Sequence, residues 1–256
     1  MIETSEARNT ILPMQSIQKQ LPNLLTLANL ICGTLMIISA FQLQFVTVAW
    51  LAAAALAFDF LDGTAARALG VSSPMGQELD SMADMVSFGV APAMVLYNYW
   101  ENERFNGSDI LQFDIPYIVD IVPYFPLAIA AFSGYRLAKF NVSTQSNDYF
   151  QGLPTPALAL ACFALPLAAE QFEMANTFLN HPLFIMLFSL IGGMLLVSEL
   201  KLFSLKIGSK NKLLNKLRIV LVVVCASLIV LFHFVGAFLC LIVYILFSLF
   251  AQKIIT

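Results

Sequence analysis

The chemical interest of this 256-residue sequence is concentrated in four aspartates. Asp59 and Asp62 stand three apart and Asp80 and Asp84 four apart, so each pair shares one face wherever its segment is helical. A lone aspartate at such a place would most simply be a helix cap or a solvated loop residue. Asp59, however, lies inside the apolar stretch AAAALAFDFLDG, where a carboxylate is expensive to hold. Two such pairs on neighbouring antiparallel helices can converge, and converging carboxylates in a low dielectric cannot all stay ionised without cations. An all-oxygen set suits Mg²⁺ or Mn²⁺ rather than zinc, and two ions bridged by shared carboxylates form a clamp for phosphoryl transfer.

The neighbours of the aspartates fit that chemistry. Gly63 and Ala66 extend the Asp59 and Asp62 face almost without side chain, and Gly76 precedes Asp80 by one turn, so a ligand can approach the backbone there. Arg67 supplies a planar cationic fork suited to phosphate oxygens.

The elements that must hold these groups are membrane helices. Hydrophobic residues make up 59% of the chain and charged residues 11%, against roughly a quarter charged in a soluble domain. Apolar runs at 24–42, 45–66, 80–100, 117–138, 154–171, 182–198, 217–233 and 235–251 predict an all-α polytopic bundle of about eight spans. The turn available between His233 and Gly236 is so short that the last pair can also be read as one re-entrant hairpin. Residues 1–22 form an N-terminal segment and 23–256 a single membrane domain, and the first run is expected to be a retained span rather than a signal peptide. With eight spans, every Lys and Arg except Arg104 falls on the side of the N-terminus. The opposite loops carry Glu101, Glu103, Asp109, Asp114, Glu170 and Glu173, so both termini and the Arg67 loop are expected to be cytoplasmic, in the inner membrane.

Other residue types add little chemistry. A net charge of -3, with no stretch that combines clustered basic residues and interleaved aromatics on a polar background, argues against nucleic acid. The segment 201–218 reads as a basic cytoplasmic loop that serves topology and attraction to anionic lipid. Cys32, Cys162, Cys225 and Cys240 lack CxxC spacing and read as core residues, while His181 and His233 fall at outer helix ends far from the aspartates.

The stretch from Asp59 to Asp84 reads DxxDGxxARx8GxxxDxxxD and resembles, without departure, the signature of the CDP-alcohol phosphotransferase family. Eight fixed positions recur by chance in roughly one of 10^10 windows, taking each residue type at about one in twenty. The resemblance implies that Asp59, Asp62 and Asp80 hold two divalent ions, and that Asp84 completes the shell of the second ion and serves as general base. It also implies that Gly63, Ala66, Arg67 and Gly76 contact the CDP group, and that a six-helix core, here with two further helices, forms a homodimer. The stretches LDSMADMVSFGVAPA, FSGYRLAKFNV and FQGLPTPA are similar to the bacterial and archaeal phosphatidylserine synthase branch. So is PNLLTLANLICG, with Asn29 where many members carry a basic residue. That branch implies CDP-diacylglycerol and L-serine as substrates. Arg136 and Lys139, three apart near the same membrane surface, are candidates for the serine carboxylate, with Asn141 as a further hydrogen-bonding group. Lys139 stands where the branch is associated with arginine, and positive-inside anchoring accounts equally well for both cations. A sister enzyme using glycerol 3-phosphate or an inositol phosphate is the alternative. A cation or proton transporter is a remote one, since it predicts midplane carboxylates and repeated halves rather than one interfacial cluster.

Overall fold

The computed structural model describes residues 12–71, 73–105, 120–142, 149–203 and 212–255, and within them the apolar runs form helices. Arg8, Asp109, Asp114, Lys206 and Lys210, which entered the reading of topology, lie outside the described residues. Helices α1 (Leu12–Phe41) and α2 (Phe45–Leu69) pack along one another and are joined by a tight turn. Leu43 takes a φ of 55° there, and the Gln44 N–H returns to the Ser39 carbonyl at 2.9 Å. Helix α2 stops at Gly70, whose φ of 63° suits a residue without Cβ, while the Val71 N–H reaches the Ala66 carbonyl at 3.0 Å. Ser73 then caps α3 (Pro74–Asp84): its Oγ accepts the Gly76 N–H at 3.0 Å, and Pro74 fills the first turn, where no N–H is needed.

This turn brings the acidic pairs level. Asp62 and Asp59 lie eight and eleven residues before Gly70, and Asp80 and Asp84 seven and eleven after Ser73. At ~1.5 Å of rise per residue, the two pairs therefore sit at comparable depths, ~12 and ~16 Å from the turn. Helices α2 and α3 each pack on α1 rather than closely on one another, which leaves a cleft between the helices that bear the carboxylates. One π-helical turn (Met85–Val90) comes directly after Asp84 and leads into α4 (Ala91–Phe105), so Pro74–Glu103 is a single long apolar rod.

The remaining helices close the bundle. Helix α5 (Leu127–Val142) packs on the π turn, and α6 (Thr155–Gln171) is the central rod, with Ala161 through Ala169 buried. Trp100, Phe88, Met36, Leu96, Ile129 and Leu165 fill the core. The short helix α7 (Glu173–Leu179) bends by 68° into α8 (Pro182–Val197). Two three-residue strands, β1 (Tyr149–Gln151) and β2 (Lys201–Phe203), pair antiparallel with Tyr149 opposite Phe203, a ribbon that the all-helical expectation did not contain. Gly152 comes after β1 at a φ of 75°, where any Cβ would fall 2.3 Å from the Leu196 carbonyl oxygen.

The outside is as apolar as the inside. Trp50, Ile31, Met194 and Val230 are each more than half exposed, a surface that water tolerates poorly and hydrocarbon solvates. Among the described residues four helices are long and apolar enough to cross a membrane: Gln20–Phe41, Phe45–Leu69, Pro74–Glu103 and Asn215–Phe250. A fifth is added if the bent pair α7 and α8 is one span. The chain is thus a helical membrane bundle. Several expected runs form helices of 16 or 17 residues, α5, α6 and α8, shorter than the ~20 of a full perpendicular crossing.

The last two expected runs share α9 (Lys212–Ile255), which breaks at His233 with φ 48° and ψ -116°. The Cys240 Sγ lies 3.5 Å from the Cys225 carbonyl oxygen, whereas a straight helix would hold residues fifteen apart at ~22 Å. The chain therefore doubles back, and Gly236 permits the close pass, since a Cβ there would meet the Leu228 carbonyl oxygen at 2.0 Å. Mild copper-phenanthroline oxidation of the purified protein is accordingly expected to link Cys225 to Cys240. Mass spectrometry of its peptides reads this, and a straight terminal helix would give no such link.

Candidate active site

The site is built where α2, α3 and α1 meet. Carboxylate oxygens of Asp59, Asp62 and Asp80 lie within 4.8 Å of one another. Asp62 is buried and accepts the Thr26 hydroxyl at 2.7 Å. Asp80 Oδ1 is buried without a hydrogen-bond partner, an arrangement that a neutral protein interior does not sustain and a bound cation satisfies. Three anionic oxygens around one point, one of them orphaned, fit Mg²⁺ or Mn²⁺. Asp84 stands outside this trio, one turn along, within electrostatic range of Asp59, Asp80 and Asp62. Its Oδ1 accepts the Asn29 Nδ2–H at 3.3 Å.

The predicted nucleotide contacts divide into two kinds. Gly63 lies against the Arg67 guanidinium: a Cβ there would sit at ordinary contact distance, 3.4 Å from Nη1 and 3.9 Å from Nη2. Arg67 is exposed at the cleft and Ala66 half-buried beside it. Gly76 is different. The space its side chain would take is filled by the Ser73 Oγ at 3.2 Å and the Asn23 Oδ1 at 3.3 Å, so its smallness serves the start of α3 and the approach of α1 rather than an open face.

The three predicted acceptor residues also separate. Arg136 on α5 lies within electrostatic range of Asp84 and Tyr244, and its Nη1 donates to the Thr155 Oγ1 at 2.6 Å. Its Nε is buried with no hydrogen-bond partner. Asn141 donates to the Ser81 Oγ at 2.9 Å, next to Asp80, so its amide ties α5 to α3. Lys139 lines a small cavity of about 20 Å³ shared with Arg136, Gln151 and Ser198.

Sequence reading overlooked the supporting groups Thr26, Ser81 and Thr155. Thr26, Asn29 and Gly33 recur at three- and four-residue spacing, which was a legible signal of one polar, small face on α1 directed at the aspartates. A cavity of about 1110 Å³ lies elsewhere, between α6, α7, α8 and α9. It is lined by side chains such as Phe178, Phe184, Phe188 and Leu241 and by none of the aspartates, so it is an apolar crevice rather than the place of the chemistry.

Residues 19–198 match the model of the CDP-alcohol phosphatidyltransferase family, a range that ends before the terminal hairpin. The chain is 32% identical over 186 residues to a CDP-diacylglycerol–serine O-phosphatidyltransferase of Helicobacter pylori, covering 70% of each chain. An enzyme of the same name from Methanocaldococcus jannaschii is 32% identical over 177 residues, 69% of this chain and 70% of its own. A third, from Bacillus subtilis, is 31% identical over 155 residues, 60% of this chain and 80% of its own.

The carboxylate trio predicts measurable metal binding. Asp80→Asn is expected to weaken Mn²⁺ binding at least tenfold, followed by electron paramagnetic resonance of the free ion. Thr26→Val, which only frees Asp62, should weaken it by up to about tenfold. Unchanged binding in Asp80→Asn would remove the trio as the metal site.

Proposed function

The chain belongs to the CDP-alcohol phosphatidyltransferase family, and from that premise we propose that it transfers the phosphatidyl group of CDP-diacylglycerol to the hydroxyl of L-serine, yielding phosphatidylserine and CMP. The observation that carries this reading is the meeting of Asp59, Asp62 and Asp80 at one point, with Asp84 on one side and Arg136 within electrostatic range of it. The names borne by the relatives point to serine as acceptor.

Each residue has a distinct task. Asp59, Asp62 and Asp80 would hold one or two divalent ions, with Asp84 completing the shell of the second, and the bound metal supplies charge neutralisation at the pyrophosphate. Arg67 grips phosphate oxygens of the CDP group, and Gly63, beside its guanidinium, would contact the same group. Ala66 keeps the neighbouring backbone free of bulk, and Gly76, packed against Ser73 and Asn23, would contact the CDP group through its backbone. Asp84 takes the proton of the serine hydroxyl as its oxygen attacks the phosphatidyl phosphorus. The new oxygen–phosphorus bond forms while the bond to the CMP oxygen breaks in line, and CMP leaves with the electron pair. Arg136, which is half-buried, pairs with the serine carboxylate through its guanidinium, while its Nη1 is held by Thr155. Lys139 adds positive charge at the edge of this subsite, and Asn141 fixes its rim through Ser81.

The position of the site stems from its substrates. The nucleotide is water-soluble and the diacylglycerol tails are not, so the aspartates belong at the cytoplasmic edge of the membrane. Both termini would lie on that side with eight crossings, the terminal hairpin supplying the last two. Two copies would associate as a homodimer.

Purified protein given CDP-diacylglycerol, Mn²⁺ and one alcohol at a time tests the reading through CMP release. Serine is expected to be the productive acceptor. Release with glycerol 3-phosphate or an inositol phosphate and none with serine would assign a sister reaction. Asp84→Asn is expected to lower kcat by 10²-fold or more, on the order of a lost general base, while CDP-diacylglycerol still binds. Near-normal turnover in that variant would exclude Asp84 as base.

A further inference from the structure

We propose that Asn29 is a positioning residue for Asp84, tying one carboxylate oxygen so that the other is presented to the acceptor hydroxyl; this rests on the reading of Asp84 as the base. Asn29 is fully buried on α1, and its Nδ2–H donates to Asp84 Oδ1. A second bond grips the chain just beyond the aspartate: the Asn29 carbonyl accepts the hydroxyl of Ser87, itself fully buried in the π turn, at 2.9 Å. Asp84 is thus held by its side chain, and by the turn directly after it, from a single residue of α1. Gly33, four residues on, lets the helices close far enough for both bonds. A Cβ there would lie 2.5 Å from the Ser87 Oγ and 2.9 Å from the Ser87 Cα.

The other half of the same amide makes the case sharper. Asn29 Oδ1 is buried and has no hydrogen-bond partner, and an orphaned buried acceptor is destabilising. Leucine branches at the same carbon and has no polar atom to leave unpaired, although its methyl groups make it larger than asparagine. An amide whose oxygen is unpaired and whose nitrogen faces the base is explained by what the nitrogen does. Ordering a carboxylate beforehand removes the need to freeze it during proton transfer, which acts on turnover rather than on substrate binding. The full burial of Asn29 keeps it from touching the acceptor directly.

The test compares wild type with Asn29→Leu and Asn29→Ala, measuring thermal stability together with kcat and KM for CDP-diacylglycerol and for the alcohol the wild type uses. Asn29→Leu is expected to keep both KM values within about threefold and to lose about 30-fold or more in kcat, within the range set by general-base catalysis, whatever the shift in its melting temperature. Asn29→Ala should show the same split between kcat and KM, whatever its stability, and Ser87→Ala a smaller loss of the same kind. Wild-type kcat in either Asn29 variant, or a loss that resides in KM, would overturn the proposal. The wild-type acceptor panel judges the reaction itself, while the variant-to-wild-type ratio with whichever alcohol is used judges Asn29. If no alcohol is turned over, the proposal falls with the reading on which it rests.

Discussion

Like charges repel most strongly where water is scarce, and this protein brings the carboxylates of Asp59, Asp62 and Asp80 to one point between helices whose outer faces are apolar. The free energy that holds them there comes from elsewhere: from the packing of α1 on both α2 and α3, and from the caps at Gly70 and Ser73 that fix how the two helices are joined. A cation is the natural counterweight, and the orphaned oxygen of Asp80 marks where it would be held. The cluster is therefore costly without a cation and, in the proposed reaction, is where metal would meet the pyrophosphate. The folded chain is expected to be more stable with Mn²⁺ or Mg²⁺ than without, because an ion that binds only the folded state shifts the balance toward it.

Helix α1 carries no acidic group at the site, yet it organises all of it. Thr26 engages Asp62, Asn29 engages Asp84 and grips Ser87, and Asn23 abuts Gly76. These contacts run along one face of the helix, so a rigid element sets the relative positions of side chains drawn from two others. Small residues make this possible. Gly33 against Ser87, and Gly89 against Ser133, allow backbones to approach where lipid offers no hydrophobic incentive for helices to associate. The π turn after Asp84 belongs to the same arrangement, since its extra residue re-aims Ser87 and the start of α4 toward α1.

The opposite parts of the bundle show how the frame is anchored. The Tyr99 hydroxyl donates to Asn180, whose amide nitrogen in turn reaches Glu103, tying the end of α4 to the bend between α7 and α8. The terminal hairpin covers α6 with Phe238, Leu241 and Tyr244, and Tyr244 brings it within electrostatic range of Arg136. A segment outside the matched family range thus touches the periphery of the proposed acceptor subsite.

Residue types and intervals along the chain were enough to single out the aspartates, Arg67 and the small residues between them, because a carboxylate inside an apolar run is anomalous on its own terms and needs no neighbour to be noticed. They were also enough for the helical membrane class and the turn at His233, because hydropathy and run length are local quantities. Folding alone settled what depends on distance: that Asp80 joins Asp59 and Asp62 while Asp84 stands a turn away, that Gly76 lies against the Ser73 cap and Asn23, and that Asn141 is tied to Ser81. The same holds for the ribbon of β1 and β2 and for Cys225 beside Cys240. The physical reason is common to all of these. A helix face can be read from periodicity, but which atoms meet across a cleft depends on the crossing of helices, and that is set by packing among residues far apart in the chain.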